Sequence, residues 1–294
     1  EAAQLAYHVY QGSHLTLPGV SLRYKLHPHQ KRAIWRQIQT GDVYLAHAVG
    51  AGKTIEMIAG GMEQKRLGLI QKPIYVVPNH MLEQFTSDFV RFYPNAKVLM
   101  ASKDDFVGDS RRQFAARVAL GDWDAVVMTH ATFEKLPLRP ETTNRFVKQL
   151  MDQARLALSM ADEQNGKRTV KQCEKLLKAL EAKMERAVNE SARDDFVYFD
   201  DLGVDHLMVD EAHLFKNLMR VSKMPSIAGL PNVSSNRAFD LWVKTATIME
   251  NRGEVEQGVT FATATPIANS VAECHVMMRF LQPYTLKRLG LYEF

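Results

Sequence analysis

The chain has 294 residues, 46% hydrophobic and 24% charged, with a net charge of +4 that suits a polyanionic partner without requiring one. No apolar run approaches the ~18 residues that a membrane-spanning helix needs, which argues against a membrane protein. Two cysteines, Cys173 and Cys274, form no C-x-x-C pattern, so neither a disulfide framework nor a zinc cluster is implied and a reducing compartment is expected.

Residues 1–25 begin at Glu1 and contain Gly12, Pro18 and Gly19 without a strong period. They read as a lead-in from a preceding domain of a longer polypeptide. A helical pattern follows from Gln30 to Ile38, and "VYLA" at 43–46 is a nearly continuous apolar run, as in a strand covered on both faces. Thr54 to Arg66 is again helical. Between strand and helix, "LAHAVGAGKT" at 45–54 ends in Gly-Lys-Thr. The general phosphate-loop template is G-x-x-x-x-G-K-[ST], and its first glycine falls on His47. Gly50 and Gly52 still let the backbone curl so that amide N–H groups face phosphates, which makes Gly50, Ala51, Gly52, Lys53, Thr54 and Ile55 a candidate cradle for ATP. Lys53 would reach the β and γ phosphates, and the Thr54 hydroxyl would ligate Mg²⁺. His47, where the loop leaves its strand, is expected to tune the loop more than to ligate phosphate.

Further apolar runs are "IYVV" at 74–77, "KVLM" at 97–100 and "DAVVMT" at 124–129, with a helical pattern from Met81 to Phe92. Strand and helix in alternation give an α/β fold with a mostly parallel sheet. From Glu141 to Arg193 the rhythm breaks. Phe146, Leu150, Ala154 and Leu158 repeat every four residues; Cys173, Leu177, Leu180, Met184 and Ala187 repeat at fours and threes. With "DEQNGK" at 162–167 as the turn, a helical hairpin is expected to occupy 137–200. It is either an arm for nucleic acid or a protein partner, or a structural insertion with a solvated charged face. Strand signals resume with "HLMV" at 206–209 and "VTFAT" at 259–263. "HLMVDEAH" at 206–213 puts Asp210 and Glu211 at a strand end. There one carboxylate can hold Mg²⁺ and its neighbour can orient and deprotonate an attacking water.

G-x-G-K-T followed by D-E-A-H resembles the superfamily 2 helicases and translocases. "DEAHLFKN" at 210–217 is more specific, because D-E-A-H-x-x-K-N is typical of the Snf-type ATPases. "TATPIANSVAE" at 263–273 resembles that branch's motif III, T-G-T-P-I-x-N-x-x-x-E, with Ala264 in place of glycine. "LHPHQ" at 26–30 resembles L-R-P-Y-Q, which implies that Gln30 reads the adenine edge and that His27 and His29 belong to this motif and not to a metal site. "YVVPNHMLEQF" at 75–85 and "DAVVMTHATF" at 124–133 fit motifs Ia and Ib. These imply a nucleic-acid track at Pro78, Asn79 and His80 and at Thr129 and His130. Position 47, alanine in many superfamily 2 proteins and acidic in remodellers, is His47 here.

The resemblance implies a RecA-like P-loop NTPase lobe built from 26–136 and 201–294, with the hairpin inserted. In it Lys53, Asp210 and Glu211 serve catalysis, Thr54 and Asp210 hold Mg²⁺, and His213, Thr263 and Thr265 couple the acidic box to motif III. It further implies double-stranded DNA as partner, a second RecA-like lobe elsewhere in the polypeptide, weak activity of this lobe alone, and a cytoplasmic setting of bacterial or phage type. Two other readings are a strand-separating helicase of the D-E-A-D/D-E-A-H type and a nucleotide-gated protein-interaction module. Lys216, Asn217 and Asn269 favour the Snf-type reading over the former.

Overall fold

The computed structural model describes residues 10–108, 110–159, 166–191, 198–218 and 235–292. The chain is shared in alternation between two compact units. The first runs to residue 133 and adds 204–213 and 256–265; the second takes 134–203, 214–255 and 266 onward.

The first unit contains helices α1 (Pro28–Thr40), α2 (Lys53–Arg66), α3 (Leu82–Phe92), α4 (Ser110–Leu120) and α5 (His130–Phe133). Its strands are β1 (Asp42–Leu45), β2 (Pro73–Val77), β3 (Val98–Met100), β4 (Ala125–Thr129), β5 (His206–Asp210) and β6 (Val259–Ala262). The six apolar runs of the sequence coincide with these six strands. All pair in parallel, in the order β1-β6-β5-β2-β4-β3. This helix-flanked α/β sheet is the RecA-like lobe implied by the motif order.

Val43, Leu45, Tyr75, Val77, Ala125, Val127 and Met208 on one sheet face form a single core with Ala33 and Ile34 of α1, Met57 and Ile58 of α2, and Phe85 and Phe89 of α3. The other face, with Ile74, Val76, Val126, Met128, Leu207, Val209 and Phe261, is fully buried as well. Burial on both faces is why the runs do not alternate with polar residues. Each such side chain contributes about 1.5–3 kcal/mol to stability relative to exposure. Because every strand runs the same way, the residues following β1, β5, β6, β2 and β4 all emerge along one carboxyl edge, where open parallel sheets bind ligands.

Residues 10–25 pack on the first unit. Leu17 lies in the core with Leu15 and Val20 packed on it, the Lys31 ammonium donates to the Leu15 carbonyl at 2.9 Å, and Ser21 N–H donates to Phe92 O at 2.8 Å. The segment shows no period because tertiary contacts hold it as irregular chain.

In the second unit, α6 (Pro140–Ser159) and α7 (Gly166–Ser191) realise the expected helical pair. They enclose a small core of Ala154, Leu158, Leu176 and Leu177. Residues 162–165 of the expected turn, and the side chains of Cys173 and Ala187, lie outside what is described. The unit also holds α8 (Asn236–Asn251), N-capped by the Ser235 side chain, α9 (Ala272–Leu281) and α10 (Pro283–Arg288). Phe146 of α6 meets Trp242 of α8 edge-on, with ring centroids 5.3 Å apart, and Arg145 pairs with Glu250 at 2.6 Å. No described helix is long and apolar enough to cross a membrane.

Candidate nucleotide site

The loop from residue 46 to 52 joins the end of β1 to the start of α2, the strand-to-helix context that a phosphate cradle needs. Gly50 and Gly52 sit at φ +79° and +91°, a region open to glycine and strained for other residues. At Gly52 a side chain would also collide with the Gln30 amide. Lys53 opens α2, and its ammonium donates to the loop's own carbonyls, His47 O at 3.0 Å and Ala48 O at 3.2 Å. Thr54 is half-buried one residue on, whereas the Ile55 side chain is in the core, so only the backbone of Ile55 can serve a ligand.

Gln30 is buried, with both ends of its amide engaged. Its Oε1 accepts from His27 N–H at 2.9 Å and its Nε2 donates to Ala51 O at 3.1 Å. In this arrangement Gln30 ties the start of α1 to the phosphate loop, and reading adenine requires it to share or exchange these bonds. His29 supports the same link, its Nε2 lying 2.9 Å from Ala51 O.

His47 answers to a residue that the motifs did not single out. Its Nδ1 is 2.8 Å and 3.0 Å from the two oxygens of Glu56, a carboxyl with no solvent exposure on the first turns of α2. Burial pushes the Glu56 carboxyl up to about 8, against the opposing pull of Lys53. Burial, then His29 and Lys53, hold the His47 imidazole below its ordinary value. The pair thus braces the loop to α2 from a position that points to Glu56 and away from any phosphate role. A glutamate one position past Ile55 and a histidine where the template has glycine were its only trace in sequence.

At the end of β5 the chain turns sharply. Glu211 has φ +50°, uncommon for a residue with a side chain, and its N–H donates to the Asp210 carboxylate at 3.0 Å. Burial first and Glu211 second push the Asp210 carboxyl above its usual range, while Lys53 and His213 act the other way, so the lysine of the loop and the acid of β5 feel each other's charge. Glu211 Oε2 is 3.1 Å from His213 Nδ1, and that nitrogen is 2.8 Å from the buried Thr263 hydroxyl. The hydroxyl lies 3.4 Å from Glu211 Oε2 and accepts from Thr265 N–H at 3.1 Å. The structure therefore brings Glu211, His213, Thr263 and Thr265 into one network.

Along the same edge, Asn79 and His80 are exposed after β2, and Pro78 is buried. Thr129 and His130 are only 4% and 3% exposed, which leaves neither side chain free to meet a nucleic-acid backbone directly. Thr129 is taken up by reciprocal bonds with Thr132, and the His130 ring is turned inward to Asp210 O at 2.9 Å. Solvent-facing atoms at β4 come instead from the half-exposed Ala131.

In the second unit the remaining letters of the motifs find each other. The Lys216 ammonium meets Glu273 Oε1 at 2.8 Å, while Ala268 N–H and the Asn269 side-chain amide donate to the same carboxylate at 2.8 Å and 3.2 Å. These bonds outweigh the burial of Glu273 and hold its carboxyl below its usual range.

Fold and site together define an α/β lobe whose glycine loop and acidic strand end lie along one sheet edge. Residues 35–294 match the family described as "probable helicase domain", and the chain belongs to that family. It is similar to the "Defense against restriction protein B" of Escherichia phage P1, with 23% identity over 328 aligned positions covering 96% of this chain and 14% of that protein. The chain thus spans about one-seventh of the length of that curated relative. A solved structure described as "Sulfolobus solfataricus SWI2/SNF2 ATPase core in complex with dsDNA" is also similar, at 16% identity and a TM-score of 0.47, covering 95% of this chain and 40% of that one. The motif-based resemblance is borne out at the level of a helicase-type lobe.

Proposed function

We propose that this chain is the ATP-binding first lobe of a Snf-type superfamily 2 ATPase that moves on double-stranded DNA, and that a second RecA-like lobe is supplied by a longer polypeptide. The observation that carries the reading is the gathering, on one sheet edge, of the Gly50–Lys53 loop, with its two left-handed glycines, and the Glu211–His213–Thr263 network. The Snf-type branch rests on the Lys216–Glu273–Asn269 cluster, which gives a structural reason for D-E-A-H-x-x-K-N and P-I-x-N-x-x-x-E to occur together.

The residues fit MgATP. Two glycines in the left-handed region free amide groups for phosphate, and an ammonium now satisfied by neutral carbonyls would gain from a phosphate partner. The half-buried Asp210 carboxyl, raised by its surroundings, is one that a cation would return to its charged form. When bound, Mg²⁺ supplies electrostatic relief for charge on the transferred phosphoryl group. In this scheme Lys53 and the amides of Gly50 to Thr54 hold the phosphates, and Thr54 and Asp210 hold the metal. Glu211 takes the proton of the attacking water, and Gln30 reads adenine. His213, Thr263 and Thr265 pass the state of Glu211 to motif III. Duplex contacts form at Asn79, His80 and the Ala131 backbone and are sequence-independent. The hairpin of α6 and α7 is an insertion at 137–200 that can serve a protein partner.

The test is calorimetric titration of the chain with a non-hydrolysable ATP analogue, followed by ATPase assays of the full-length protein with duplex DNA, single-stranded DNA and RNA. Lys53→Ala should weaken analogue binding by about 10- to 100-fold, the worth of one or two charge-assisted hydrogen bonds. Duplex DNA should stimulate turnover most. Unchanged binding in Lys53→Ala, or stimulation by RNA alone, sinks the proposal.

A further inference from the structure

The Asp210–Glu211 peptide is held at both ends. Its N–H donates to Asp210 Oδ1 at 3.0 Å, and its carbonyl lies 2.9 Å from His130 Nε2. A carbonyl can only accept, so Nε2 carries the proton and donates. The orientation of that peptide sets φ of Glu211, which at +50° lies where a non-glycine residue is strained by about 1–3 kcal/mol unless its surroundings hold it there. The His130 bond is therefore part of what presents Glu211 toward its partners His213 and Thr263.

His130 is itself fixed from the outer edge of the sheet. It opens α5 directly after β4, between Thr129 and Thr132, whose backbone and hydroxyl groups bond reciprocally at 2.9 Å and 3.1 Å. The next residue, Ala131, donates its N–H to the side-chain oxygen of the exposed Asn79 at 3.4 Å. An unbroken line of bonded groups thus runs from Asn79 on the exposed edge, through Ala131 and His130, to the peptide that carries Glu211.

We infer that His130 is a positioning residue for ATP hydrolysis, holding the Asp210–Glu211 peptide so that a polyanion bound at Asn79 and Ala131 shifts the setting of Glu211 and raises turnover. The inference rests on the ATPase reading above. It gives that reading a physical route by which occupancy of the duplex edge reaches the catalytic base, carried by contiguous groups and open to direct test by coupling.

The test uses the full-length protein with His130→Leu, which fills the buried volume without a donor, and His130→Gln, whose side-chain amide can replace the Nε2 donor. For each, kcat and KM for ATP are measured with and without duplex DNA, together with duplex affinity by fluorescence anisotropy and the melting temperature. His130→Leu should lower DNA-stimulated kcat about tenfold and move the stimulation ratio toward one, with KM for ATP and duplex affinity within about twofold of the unaltered protein. His130→Gln should recover most of both. Retention of full stimulation by His130→Leu overturns the inference. So do equal losses in both variants with a lowered melting temperature, which would make His130 structural only, and so does weakened duplex affinity, which would make it a direct contact. Absence of turnover in the unaltered protein instead removes the ATPase reading itself.

Discussion

His47 occupies the place of a template glycine yet leaves the phosphate side of the loop free, because its ring is committed to Glu56. His47→Ala should therefore keep ATP-analogue affinity within a few-fold, far from the loss in Lys53→Ala. It should lower stability by about 1–3 kcal/mol, since a buried carboxyl loses its near partner; calorimetry and urea unfolding read the two effects separately. Glu56 adds a pH signature in the nucleotide-free protein. Folded, it keeps its proton to about pH 8, whereas unfolded it releases it near 4.5, so stability falls as pH rises across that interval. His47, held below its ordinary 6.5, acts in the opposite sense beneath that pH, which leaves about 6.5 to 8 as the clean window. Glu56→Gln should flatten the change in urea midpoint between those values; an unchanged slope would show that Glu56 is not its source. The phosphate loop was legible from residue types at fixed spacing, because glycine, lysine and threonine act there through local backbone. Glu56 and the inward turn of His130 were not, because each depends on a partner brought from another element.

Strands were the most legible elements. Burial on both faces forces unbroken apolar runs, and a parallel sheet supplies that burial at every strand. The irregular segment 10–25 escaped for the converse reason, as its order comes from Lys31 and Phe92, residues beyond its own span. The loop before α9 is a case between the two. Its letters were visible, but the physical reason for them is one carboxylate, Glu273, that gathers Lys216, Ala268 N–H and Asn269. Glu273→Ala should cost about 2–3 kcal/mol in the second unit, because a backbone N–H and an ammonium lose a charged acceptor together. Hydrogen exchange should show loss of protection at Ala268, and Glu273→Gln should restore part of it.

For the whole molecule, the two compact units take turns along the chain, and the sheet is completed by segments from far apart in sequence. Strand β1, which leads into the phosphate loop, stands at one end of the strand order with β6 as its bonded neighbour. Asp42 even receives the Val259 N–H at 2.8 Å across a separation of 217 residues. A chain ended at residue 258 keeps every residue of the glycine loop and yet leaves β1 without its ladder. Such a chain should show no thermal protection by an ATP analogue, and protection equal to that of the intact chain would refute the argument. Contacts this distant close slowly, since the intervening chain must be ordered first. During synthesis the loop leaves the ribosome early but waits more than two hundred residues for β6 before its strand has a partner, so the loop is made long before it can be set in place.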